Sequence, residues 1–204
     1  MASETERIKE RSVDSLQQIY AVIIALAIAQ AVQSLLKDSV GASLLGLSQI
    51  LIGLPPFIAF LVTLVPFWHG MNRHLDRCYI EKKSSVVQGA LLFDFVTFFL
   101  EASLLFAAGW TLRSGIYSYI PVCALLVVDM AWGFVSHQIH FPSRKSHVIR
   151  WSVINLFAIV AAVLIVLFPF NLKSIALMMV AIVRSIVDYW FCWNFYFPRA
   201  GESA

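Results

Sequence analysis

The residues best suited to chemistry in this chain are five charges set inside long apolar stretches: Asp94, Glu101, Asp129, Arg184 and Asp188. A charge in the core of a bilayer costs about 2.5–3.5 kcal/mol, so it marks function or a paired network. Arg184 and Asp188 are four apart, the spacing that lets two side chains pair on one helix face. Asp94 and Glu101 are seven apart and also share a face. Asp129, Gly133, Ser136, His137 and His140 follow one another at helical spacing and form a polar track. Counted from one membrane face at about 1.5 Å per residue, Asp94 lies roughly 12 Å deep, Asp188 roughly 13 Å, Asp129 roughly 15 Å and Arg184 roughly 19 Å. Asn155 falls at a comparable level, and Glu101 lies further out. One guanidinium against three carboxylates leaves negative charge for a proton or a bound cation to meet. The residues fit either a proton or cation site, or a buried network that locks helices together through interhelical bonds.

The elements that carry these residues must be membrane spans. The chain has 204 residues, 60% hydrophobic and 13% charged, with a mean hydropathy of +0.79. A soluble domain carries about twice that charge. The composition excludes a soluble globular enzyme and a disordered chain, and a span needs about 20 apolar residues. Six spans are predicted, at about 15–36, 44–68, 86–109, 115–139, 151–172 and 173–197, as one all-α domain over 1–204. The adjacent Pro55 and Pro56 predict a kink or a break in the second span. Six spans put eleven Lys and Arg on the side of the two termini and three on the other, with Arg184 inside a span. By the positive-inside rule both termini are then cytoplasmic, and a bacterial inner membrane is the expected location. Ala27-Ile28-Ala29 resembles a cleavage site, but a long acid-containing region precedes it and the apolar run continues past it, so the first span is read as retained.

Trp68, Trp151, Trp190, Trp193 and Tyr196 fall near the predicted inner interface, and Trp110, Tyr117 and Tyr119 near the outer one, as aromatic belts do. Cys78, Cys123 and Cys192 are far apart and form no metal or haem motif. The histidines fall in predicted cytoplasmic loops or helix ends, where haem ligation is not expected; His69 and His74, five apart, do not share an α-helical face. No enzymatic motif is present, and neither catalysis, a cofactor nor a metal is predicted.

The first span is uncharged. Ala21, Ala25 and Ala29 form a small-residue stripe, with Ala27 and Ala31 beside it, which permits close helix approach. A neighbouring face carries Gln18, Val22, Leu26, Ala29 and Gln33, with glutamines at both ends and apolar residues between. That pattern suits a narrow pore with polar mouths and a hydrophobic constriction. A basic surface is predicted from Arg73, Arg77, Lys82 and Lys83 in one cytoplasmic loop and Arg144, Lys145 and Arg150 in another. It suits lipid headgroups, an acidic protein or an anionic ligand.

Arg11 stands nine residues before Tyr20-Ala21-Val22-Ile23, and Phe67-Trp68-His69 ends the second span with His74 beyond. In these features, chain length and helix count, the chain resembles the bacterial branch of the endolysosomal potassium channel family. It departs from that pattern at Ser15-Leu16-Gln17, where the family has Phe-Ser-Asp. The resemblance implies a homotetramer whose first helices line a potassium-conducting pore. The first expectation is therefore a homo-oligomeric channel for small cations. The rivals are a proton-coupled transporter using the acidic cluster, and a membrane effector or subunit regulated by a cytoplasmic anionic ligand or partner.

Overall fold

A computed structural model describes residues 4–36, 44–81, 88–140, 147–169 and 171–198. Among these residues there are helices and turns and no strand. Six helices are long and apolar enough to cross a membrane: α1 (Glu4–Leu36), α2 (Leu44–Leu75), α3 (Gln88–Trp110), α4 (Tyr119–His140), α5 (His147–Leu167) and α6 (Lys173–Phe191). Helices are what lipid demands, because each satisfies its own backbone hydrogen bonds. Unlike a soluble protein, the bundle buries charged side chains within its apolar core and exposes large apolar ones. Asp94, Glu101, Asp129, Asn155, Arg184 and Asp188 are buried, while Val22, Leu26, Phe134, Phe157 and Leu167 face outward. The chain is an all-α integral membrane protein.

The helices close into a ring. Each packs on two neighbours in the order α1, α3, α4, α5, α6, α2 and back to α1, and α2 also touches α3 and α4 across the middle. One end is tied by Tyr20, whose hydroxyl donates to the Phe95 carbonyl at 2.9 Å, and by Gln17, which donates to Asp76 at 2.9 Å. At the other end Arg113 donates to the Leu35 carbonyl at 3.2 Å, and Tyr119 to the Ser174 carbonyl at 2.8 Å.

Of the kink or break expected at the proline pair, α2 shows no break, and it extends beyond the predicted second span. It carries Pro55, Pro56 and Pro66 inside one unbroken helix, so the proline pair does not break it. Proline's fixed φ suits a helix, and the loss is the N–H that would bond the carbonyl four residues earlier. For Pro66 that carbonyl is Val62's, and Ser185 of α6 donates to it at 2.6 Å. The helix also runs past Trp68 to Leu75 and continues as a π turn, Asp76–Glu81. Much of the predicted second cytoplasmic loop is therefore helix. The sixth span ends at Phe191, with a separate helical turn over Trp193–Tyr196.

α1 and α3 approach closely. A Cβ at Gly109 would lie 2.8 Å from the Ala27 carbonyl oxygen and 3.2 Å from the Ala31 nitrogen. Ala27 and Ala31 are fully buried here, whereas Ala21, Ala25 and Ala29 face outward. The small residues that bring helices together within the bundle are thus Ala27, Ala31 and Gly109. Gly109→Ala is expected to destabilise the protein by about 1–3 kcal/mol, the usual cost of overpacking, and to lower the melting temperature in detergent. An unchanged melting temperature would contradict this packing.

Candidate functional site

The buried polar residues form two groups. The first surrounds Asp94 on α3. Its Oδ2 accepts from Tyr79 Oη at 2.7 Å and faces His74 Nε2 at 3.0 Å, while its Oδ1 accepts from Trp132 Nε1 at 2.8 Å. His74 and Asp94 are fully buried. The π turn explains how His74 and Tyr79 reach the same oxygen. Residues five apart diverge on an α-helix, but the wider i→i+5 turn brings them back to one side. His74 is not a residue of a loop or interface, as its neighbourhood in the sequence implied. It is part of the core, and its other ring nitrogen lies 3.8 Å from Cys78 Sγ.

The second group links α4, α5 and α6. Asn155 donates to Asp129 and accepts from Arg184 Nε at 2.9 Å. Arg184 faces Asp188 at 3.9 Å, the direct pair that their spacing predicted, and its guanidinium sits over the Phe67 ring at 4.8 Å. Asp188 also accepts from Tyr196 Oη at 3.0 Å. Tyr196 lies beyond the last span, and burial followed by the Asp188 charge raises its phenol pKa, so it stays a donor.

Glu101 of α3 joins this second group. It is buried and shares a cavity of about 20 Å³ with Asp129, Arg184 and Asp188. It does not lie apart from the other charges, as depth counted along its own helix implied. Its Oε1 has no hydrogen-bond partner among the described residues.

Gln18, Val22, Leu26, Ala29 and Gln33 all face outward from the bundle. On the α4 track Gly133 and Ser136 are buried and His137 is half-buried; the His140 side chain lies outside the described residues. Arg73 is bound into the fold, paired with Glu81 and donating to the Phe195 carbonyl at 3.1 Å. Arg77 lies over the Phe195 ring at 5.8 Å, and Arg150 is exposed and donates to the Phe191 carbonyl at 3.0 Å. Lys82, Lys83, Arg144 and Lys145 lie outside the described residues. Of the expected belt aromatics, Trp151, Tyr196 and Tyr119 are buried instead, while Trp68, Trp110, Tyr117, Trp190 and Trp193 face outward.

Among the described residues no group of three or more His, Cys, Asp or Glu is placed to hold a metal ion. No protein-family model, curated protein or solved structure matches this chain.

Two outcomes follow from these contacts. Asp94→Ala leaves the buried Tyr79, Trp132 and His74 donors without this acceptor and is expected to cost about 3–5 kcal/mol, read as a lowered melting temperature with a shifted tryptophan emission. A melting temperature within a degree of wild type would contradict the role of Asp94. At the end of α6, burial and the neighbouring Asp188 push the Cys192 thiol up to about 12. Only about one molecule in ten thousand is then thiolate at pH 8, the reactive form. Maleimide should label Cys192 at that pH only after denaturation; rapid labelling of the folded protein would contradict its burial.

Proposed function

We propose that the protein is a proton-coupled membrane transporter, with Glu101 as the carboxyl that takes up and releases the proton. The observation that carries this reading is the Glu101 oxygen without a partner, buried beside a guanidinium inside the ring. A carboxyl serving stability alone would bond a neighbouring helix, since an unmet buried polar atom costs about 1–3 kcal/mol. Glu101 Oε1 bonds no described residue, so its carboxyl can gain or lose a proton without breaking a tie between helices. Arg184 is the natural sensor of that change: it faces Asp188, contacts Asn155 and lines the same cavity. A gain or loss of charge on Glu101 alters the electrostatic balance between α3 and α6 across the cavity. Both ends of the chain are assigned to the cytoplasmic side on the basic bias of the sequence.

A second reading is a homo-oligomeric cation channel, tetrameric and potassium-conducting if the family resemblance holds. Its support is the outward-facing stripe of Gln18, Val22, Leu26, Ala29 and Gln33, which several copies can bring to a common axis.

The test is a flux assay on proteoliposomes containing a pH-sensitive dye. A panel of small organic cations is presented outside, with potassium and sodium as controls. The expected result is solute-dependent proton movement with at least one organic cation, reduced at least tenfold in Glu101→Gln at unchanged melting temperature. Potassium or sodium flux that ignores Glu101→Gln but changes in Val22→Ser or Leu26→Ser would overturn the transporter in favour of the channel.

A further inference from the structure

We infer that the cavity between α2, α3 and α6 is a binding site for one ordered water molecule, which bridges Glu101 on α3 to Arg184 on α6. The cavity measures about 20 Å³, and one water needs about 10–15 Å³ on that scale. Its wall carries Glu101 and Arg184, both more than nine-tenths buried. Glu101 Oε1 and Arg184 Nη1 have no hydrogen-bond partner among the described residues, although Nη1 keeps its ion pair with Asp188 at 3.9 Å.

Chemistry selects the occupant. The guanidinium opposes a cation, and the carboxyls of Glu101, Asp129 and Asp188 oppose an anion. An apolar occupant leaves the polar atoms unmet. The occupant must accept from Arg184 and donate to Glu101, and water does both.

The space exists because residue 70 is glycine. Gly70 lines the cavity, and a Cβ there would lie 3.4 Å from Tyr196 Oη and 3.6 Å from the Trp151 ring. These are tolerable van der Waals contacts, so an alanine fits the fold but intrudes on the water. The water completes a polar chain from Glu101 through Arg184 and Asn155 to Asp129. Resting on the transporter reading, it is also a relay. Asp129 lines the same cavity, so the Glu101 carboxyl gives its proton to the water as the water gives one of its own directly to the Asp129 carboxylate, and the water is left unchanged.

The test uses infrared difference spectra of the reconstituted full chain on a pH step, in ordinary water and in water labelled with ¹⁸O. The expected result is an isotope-sensitive band of a hydrogen-bonded internal water in wild type. That band should be lost in Gly70→Ala, which keeps its melting temperature and loses at least tenfold in proton uptake. Glu101→Gln, of nearly unchanged volume, should shift the band rather than remove it, which keeps the test open if Gly70→Ala folds poorly. A wild-type spectrum with no such band overturns the water site, whatever the flux. A band lost in Gly70→Ala with proton uptake unchanged overturns the relay and supports the water site. A band in wild type that takes up no protons with any solute supports the water site and overturns the transporter reading.

Discussion

The bilayer core offers no water to a polar side chain, and the rest of this fold depends on that constraint. A charge there must turn inward and find its partners on other helices. All five of the sequence's intramembrane charges turn inward, and Asp94, Asp129 and Arg184 bond residues of other helices. Asp94 gathers the end of α2, the π turn and α4 onto α3. Asn155 sits between Asp129 and Arg184 and joins α4, α5 and α6. Side chains facing lipid gain little by helix association, so these contacts and close packing set the arrangement of the ring.

Close packing works on the other side of the bundle. Where Ala27 and Ala31 of α1 meet Gly109 of α3, small residues let the backbones approach. The ring is therefore held by two means: close backbone contact, with the Tyr20 hydrogen bond, at α1 and α3, and hydrogen bonds from α3 round to α6. The tail of α2 belongs to both, since Tyr79 and His74 reach Asp94 while Gly70 faces the second group. This places Glu101 at the junction. It shares α3 with Asp94, and it faces the cavity of Arg184.

Much of this was legible in the sequence. Runs such as 15–36 and 151–172 can be nothing but spans, although the fifth helix ends at Leu167, and a charge within a span must point inward. The pairing of Arg184 with Asp188 followed from their spacing. Less legible was where α2 ends. Apolarity stops at Trp68, but the helix continues through Asn72 and Arg73, because it is held by protein contacts beyond the apolar run. His74 was misplaced for that reason, and nothing singled out Tyr79, since no sequence pattern announces a π turn. The level of Glu101 was misjudged because depth counted along one helix ignores how neighbouring helices are offset. Trp151 and Tyr196 sit near span ends, where an aromatic suits the lipid interface or the core equally well. Which residues meet across 20 or 38 positions, as His74 and Trp132 meet Asp94, is set by packing that no local pattern records.

The central claim is that Glu101 exchanges a proton within the membrane. The most direct measurement is the carboxylic-acid carbonyl band in infrared difference spectra of the reconstituted protein, followed through a pH titration and assigned by Glu101→Gln. The expected result is a band from a protonated carboxyl that changes with pH and is absent in Glu101→Gln, while the bands of the remaining acids persist. A spectrum in which Glu101→Gln removes no titrating carboxyl signal would contradict the claim and leave the buried acids as ties between helices.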